Sequence, residues 1–66
     1  MYQLVSDIYL NGDNTRYVGF GIATDGYYIG DISTARESVE KLVHLCNTYE
    51  LSNIHLMDVV EDWMAG

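Results

Sequence analysis

The chain has 66 residues, ten of them acidic and three basic, for a net charge of −7. A surface of that sign repels phosphate backbones and anionic membranes, so neither direct nucleic-acid binding nor membrane-surface binding is expected. Folding at this size removes only about 60% of the unfolded chain's surface from water; a lone cysteine and the lack of zinc-type Cys/His spacing remove the disulfide and the structural metal as staples, and leave oligomerisation.

No stretch approaches the roughly 20 apolar residues of a membrane span, and MYQLVSDIYL has no basic start and places Asp7 where a leader would be apolar. A single cysteine, Cys46, points to a reducing compartment. The expectation is one small domain over residues 1–66, cytoplasmic, with Met1 reading as the start of a complete short gene product.

Residues 2–10, YQLVSDIYL, alternate as a strand with Tyr2, Leu4, Ser6, Ile8 and Leu10 on one side. Residues 16–24, RYVGFGIAT, put their bulk on Val18, Phe20 and Ile22. Matching these two even faces requires paired residue numbers with an even sum, because a slip of one residue sends the apolar set to solvent. A two-residue Asn11-Gly12 turn fails that condition, whereas a three- or five-residue loop pairing Leu4 with Phe20 or with Ile22 meets it. The second turn, Asp25-Gly26, reads as a two-residue type I′ connection pairing Thr24 with Tyr27, Ile22 with Ile29 and Gly21 with Gly30.

Thr34 followed by Glu37 reads as a capping box opening a helix that runs to about Tyr49, with Ala35, Val39, Leu42, Val43, Leu45, Cys46 and Tyr49 on its apolar stripe. Cys46 lies in that stripe and reads as a small buried hydrophobe. LSN breaks the helix, Ser52 offers an N-cap, and Leu51 with Leu56 offers a hydrophobic staple for a second helix over about 53–64. Leu56, Met57, Val59, Val60, Trp63 and Met64 share one arc of it, and Gly66 supplies a stop. The predicted fold is therefore α+β, a three-stranded antiparallel meander followed by two helices packed on one face. Its expected core joins Leu4, Ile8, Val18, Phe20, Ile22 and Ile29 from the strands to Val39, Leu42, Val43 and Cys46, then Leu56, Val59, Val60 and Trp63.

The run DIST...VEKLVHLCNTYELSNIHLMDVVEDWM, with FGI at 20–22 upstream, resembles a family of short uncharacterised proteins from low-GC Gram-positive bacteria. The likeness covers about the last two thirds of the chain and is most specific in the HLxDVVED ending, with Trp63 where that family carries Phe. The family has no assigned activity, so the resemblance implies fold boundaries and no catalytic residues.

Three constellations carry chemistry worth placing. His55, Asp58 and Asp62 stand at i, i+3 and i+7, which could partly ligate a cation, but a solvated acidic helix face explains the same spacing. No nucleophile is matched to a base and no phosphate-cradling loop is present, so no catalytic, cofactor or metal residue is assigned and the chain is read as a non-enzyme. The sheet face turned away from the helices is less ordinary. Val5, Tyr9, Tyr17 and Tyr28 surround Gly19, Gly21 and Gly30 there, with Asp7 as its only charge, where a solvent face would carry more Lys, Glu and Thr. Tyrosines across strand glycines can be local packing. The reading preferred is that Val5, Tyr9, Tyr17, Gly19, Gly21 and Tyr28 form a protein-interaction face and that the chain is a small acidic adaptor or inhibitor-like module, a homodimer through that face. The alternative is an acidic nucleic-acid mimic, from a phage or mobile element, presenting Asp58, Glu61 and Asp62 to a basic partner.

Overall fold

The computed structural model describes residues 1–65; the expected stop at Gly66 lies outside them. Three strands, β1 (Gln3–Leu10), β2 (Arg16–Thr24) and β3 (Tyr27–Ser33), form an antiparallel meander in that order. Helix α1 (Arg36–Thr48) follows, then a 3-10 turn (Asn53–His55) and α2 (Leu56–Ala65). This is the expected α+β arrangement of a meander and two helices.

Of the two registers that parity allows between β1 and β2, the chain takes the one pairing Leu4 with Ile22, closed by Leu10 opposite Arg16. The connecting loop is held from within. Asn11 and Asn14 make its turn bonds, and Asp13 accepts hydrogen bonds from the Thr15 hydroxyl (2.6 Å) and amide (3.1 Å). Those bonds, the hydroxyl's first, hold the Asp13 carboxyl below the usual carboxylate range.

The second hairpin pairs Thr24 with Tyr27 and Ile22 with Ile29 as expected. Its turn is not type I′, which needs positive φ at both central residues, because only Gly26 has it (φ 76°). The expected Gly21–Gly30 pair does not form either. Past Ile22 the register shifts, so that Phe20 lies opposite Ser33 and the single residue Gly21 faces the three residues 30–32. An unbroken register would have set Asp31 opposite Phe20 on the core side and turned Ile32 outward. The bulge reverses both: Asp31 adopts φ 53° and reaches the tyrosine face, and Ile32 is buried. A left-handed residue costs about 1–2 kcal/mol, less for Asp than for most. Leaving a carboxylate in the core costs more.

α1 starts one residue later than a Thr34 cap would place it. Ala35 is the N-cap, with extended backbone and no side-chain cap bond, so Glu37 falls one position short of the capping-box geometry. The Ser33 hydroxyl instead accepts from the Ala35 amide at 3.0 Å. At the other end the Leu51 amide donates to the Cys46 carbonyl and the Glu50 amide to that of Asn47. That is a Schellman closure with Glu50 at the left-handed position (φ 48°), where glycine is usual. Replacing Glu50 with Gly is expected to stabilise the fold by about 0.5–1 kcal/mol, read as a higher urea midpoint; an unchanged or lower midpoint would contradict the assigned closure. Ser52 precedes the 3-10 turn in extended conformation, but its side chain caps nothing, and its carbonyl accepts from the His55 amide.

The buried cluster is Tyr2, Ile22, Ile32, Val39, Leu42, Cys46, Leu56 and Val60, with Leu4, Phe20, Ile29, Val43, Leu51, Val59 and Trp63 packed on it. Tyr2 is fastened there by α1. The Asn47 side chain accepts from the Tyr2 amide (2.7 Å) and donates to its carbonyl (3.0 Å), and the Tyr2 hydroxyl donates to the Leu51 carbonyl (2.7 Å). Asn47 thus serves Tyr2 as a neighbouring strand would, answering a half-buried amide that would otherwise be costly.

Two expected core residues are not in it: Ile8 is 61% exposed and Val18 is 47% exposed. β3 ends opposite Phe20, and α1 begins there and runs back toward Tyr2. Outward of the Ser6–Phe20 pair the sheet is therefore a two-stranded arm, residues 7–19, with no third strand paired to it among the described residues and with Ile8 and Val18 exposed on its helix side. The arm contributes to a longest dimension of 39 Å against 25 and 19 Å for the others. Met57 and Met64, on the expected apolar arc of the second helix, are also exposed, as are Leu45 and Tyr49 on α1.

Candidate functional site

The register brings Val5, Tyr9, Tyr17, Gly19, Gly21 and Tyr28 to one side of the sheet, with Val5 opposite Gly21, Tyr9 opposite Tyr17 and Tyr28 opposite Ala23. The Tyr9 and Tyr17 rings stack with centroids 5.7 Å apart and planes at 29°. Tyr9 also crosses the central strand: a Cβ on Gly19 would lie 2.9 Å from its ring, and one on Gly30 would meet its hydroxyl and the Tyr28 ring. The glycines make a trough, and the Tyr9 ring lies in it.

Asp31 was not foreseen on this face, and it gives the face a second carboxylate beside Asp7. It accepts from the Tyr17 hydroxyl at 2.6 Å. The available signal was parity: an aspartate at a core-facing position followed by an isoleucine at an outward one marks a strand that must change sides.

These contacts keep the phenols protonated. The Tyr9 hydroxyl is pushed up to about 12, by its hydrogen bond with Tyr28 first, then by desolvation and the nearby Asp7 and Asp31 charges. Its bond to Asp31 raises Tyr17, and burial raises Tyr2. A tyrosine whose folded pKa exceeds its unfolded value near 10 adds stability that is complete below pH 10 and is lost as pH climbs through the folded value. Resistance to urea is therefore expected to decline between about pH 10 and pH 12, with phenolate absorbance of the folded protein lagging that of the unfolded chain. Coincident titration curves would refute these contacts.

Asp58, Glu61 and Asp62 are exposed on α2. On α1, Glu40 is engaged by Arg36 at 2.6 Å, which thins the charge available there to a nucleic-acid mimic. Asp62 borders an apolar groove of about 320 Å³ between the helices, floored by Leu42 and Cys46 and flanked by Tyr49 and Trp63. Burial pushes the Cys46 thiol up, away from the reactive thiolate. Among the described residues no three His, Cys, Asp or Glu side chains are grouped to hold a metal, so His55, Asp58 and Asp62 do not converge. No helix among them is long and apolar enough to cross a membrane.

The opposite side of the arm is the surface that sequence reasoning misplaced. Ile8, Leu10 and Val18, at 61%, 65% and 47% exposure, continue the core face outward and are left largely open by the described residues. Arg16, opposite Leu10, is the charge beside them.

No curated protein and no solved structure matches the chain. A family model does, and its match spans residues 1–66, taking in the meander with its tyrosine face, the arm and both helices. The chain belongs to the family of unknown function DUF6514.

Proposed function

We propose that the chain is a non-enzymatic protein-interaction module, acting in a bacterial cytoplasm, whose working surface is apolar sheet that its own helices leave uncovered. The observation that carries this reading is the two-stranded arm. An isolated hairpin is marginally stable in water, yet this one holds Ile8, Leu10 and Val18 in solvent on one side. Apolar residues grouped on one surface are a mark of contact sites, where singly scattered ones are not, and Ile8, Leu10 and Val18 are neighbours on one side of this hairpin.

The tyrosine face supports the reading less strongly. Tyr9 and Tyr17 are already half-buried by each other and by the glycine trough, and their hydroxyls are engaged; only Tyr28, 58% exposed, stands free in part.

The test is a photo-crosslinking amino acid placed at Leu10, at Tyr28 and, as a control, at Glu61, in cells of the native host. A discrete protein adduct is expected from Leu10 and none from Glu61. Adducts absent from both Leu10 and Tyr28 would overturn the reading.

A further inference from the structure

We infer that the partner covering the helix side of the arm is a second copy of this chain, joined as an isologous two-fold dimer through Ile8, Leu10 and Val18; this rests on the interaction-module reading above. Charge is the first argument. The chain carries ten carboxylates against three basic residues, so most ways of bringing two copies together oppose like charges. The strand residues facing the helix side of the arm are Ser6, Ile8, Leu10, Arg16 and Val18, with no carboxylate among them. The tyrosine face, by contrast, carries Asp7 and Asp31, and a two-fold contact there would gather four carboxylates. The interhelical groove has Asp62 at its border.

Complementarity is the second argument. In an isologous contact each patch meets itself, which suits three aliphatic side chains that need no opposite charge. With the two arms antiparallel, the tip of each, carrying Arg16 and Asp13, lies over the start of the other copy's α1, where Arg36 and Glu37 are exposed, so that each tip charge has an opposite charge to meet. Charges away from the contact are screened beyond about 8 Å at physiological salt.

Area sets the strength. A stable pair covers about 800 Å² on each partner, about a sixth of the 4729 Å² that the chain exposes. From Ser6 to Leu10 the arm extends about 14 Å at roughly 3.4 Å per residue. Two such strands fall short of that area alone, so the contact takes in the first turn of α1 and the dimer is weak, with Kd on the order of 10 µM.

Sedimentation of the unmodified chain from 1 to 500 µM, about tenfold below that constant to about fifty-fold above it, is the first measurement, and a monomer–dimer equilibrium is expected. Ile8→Lys and Val18→Lys should each raise Kd about 30-fold or more, with circular dichroism showing a folded monomer, since both side chains are solvent-exposed in the single chain. Tyr28→Lys should leave Kd within about threefold. The adduct from Leu10 should have twice the mass of the chain. A chain monomeric at 500 µM, or a dimer weakened by Tyr28→Lys and not by Ile8→Lys, overturns the inference. A Leu10 adduct of any other mass also overturns it while leaving the interaction reading in place, whereas no adduct at Leu10 or Tyr28 removes both.

Discussion

Gly21→Ala is expected to leave the chain unfolded at 25 °C. A Cβ at this position would collide with the carbonyl oxygen of Ile29 and lie 2.8 Å from the Gly30 Cα. Both are backbone atoms of the bulged strand, so no side-chain rotation relieves the overlap and β3 must part from β2. That separation strands Ile29 and Ile32 and breaks the lead-in to α1. Overpacking a well-filled site costs about 1–3 kcal/mol when neighbours can adjust, and more when they cannot, while a chain of this length has about 3–10 kcal/mol of stability in all. Far-UV circular dichroism should lose its strand and helix signal. Gly12→Ala is the control, since nothing lies within 4 Å of a Cβ there and its φ is not in the left-handed range; it should leave the urea midpoint unchanged. A Gly21→Ala protein as stable as the control would contradict the close approach at the bulge.

Leu42→Ala carries the second large effect. Leu42 is 1% exposed in the middle of α1, among Ile22, Val39, Leu56 and Val60 of the same cluster. Removing a buried leucine side chain costs about 2–5 kcal/mol, according to how far the surroundings collapse into the space. In so small a domain the upper part of that range abolishes folding. Leu45, three residues on and on the same expected stripe, is 47% exposed at the groove, and its replacement by Ala should cost about 1 kcal/mol or less. Urea titration of the two variants separates them, and equal losses would mean that the groove closes over Leu45 in solution.

How much of this was legible in the sequence depended on whether a local rule decided it. Parity alone reduced the β1–β2 register to two choices, and the one found, Leu4 with Ile22, was among them. The apolar stripes located both helices. Alternation, however, shows which side of a strand is apolar and not whether anything lies above it. Ile8 and Val18 were misplaced for that reason, because the length of the first hairpin relative to β3 and α1 has no local signature. Asp31 was missed because its left-handed conformation has no glycine to announce it, and Glu50 hid the closure of α1 in the same way. Asn47 was visible as a helix residue, but its bonds to Tyr2 cross 45 residues of chain. The tyrosine face was assembled correctly from alternation, except for the carboxylate that the bulge delivers to it.

The overhang of the first hairpin also bears on calorimetry. Heat capacity of unfolding tracks apolar surface newly exposed to water, at about 12–15 cal/mol/K per residue for ordinary domains. In the single chain Ile8, Leu10 and Val18 are already in large part hydrated before melting begins, so these side chains add less to the increment than core residues of their size. The denaturant slope, which follows the same change in area, is reduced with it. A dilute sample should therefore melt like a shorter protein than its length implies, with a flattened stability curve and a broad transition, and should approach the ordinary per-residue value only where concentration keeps the arm covered.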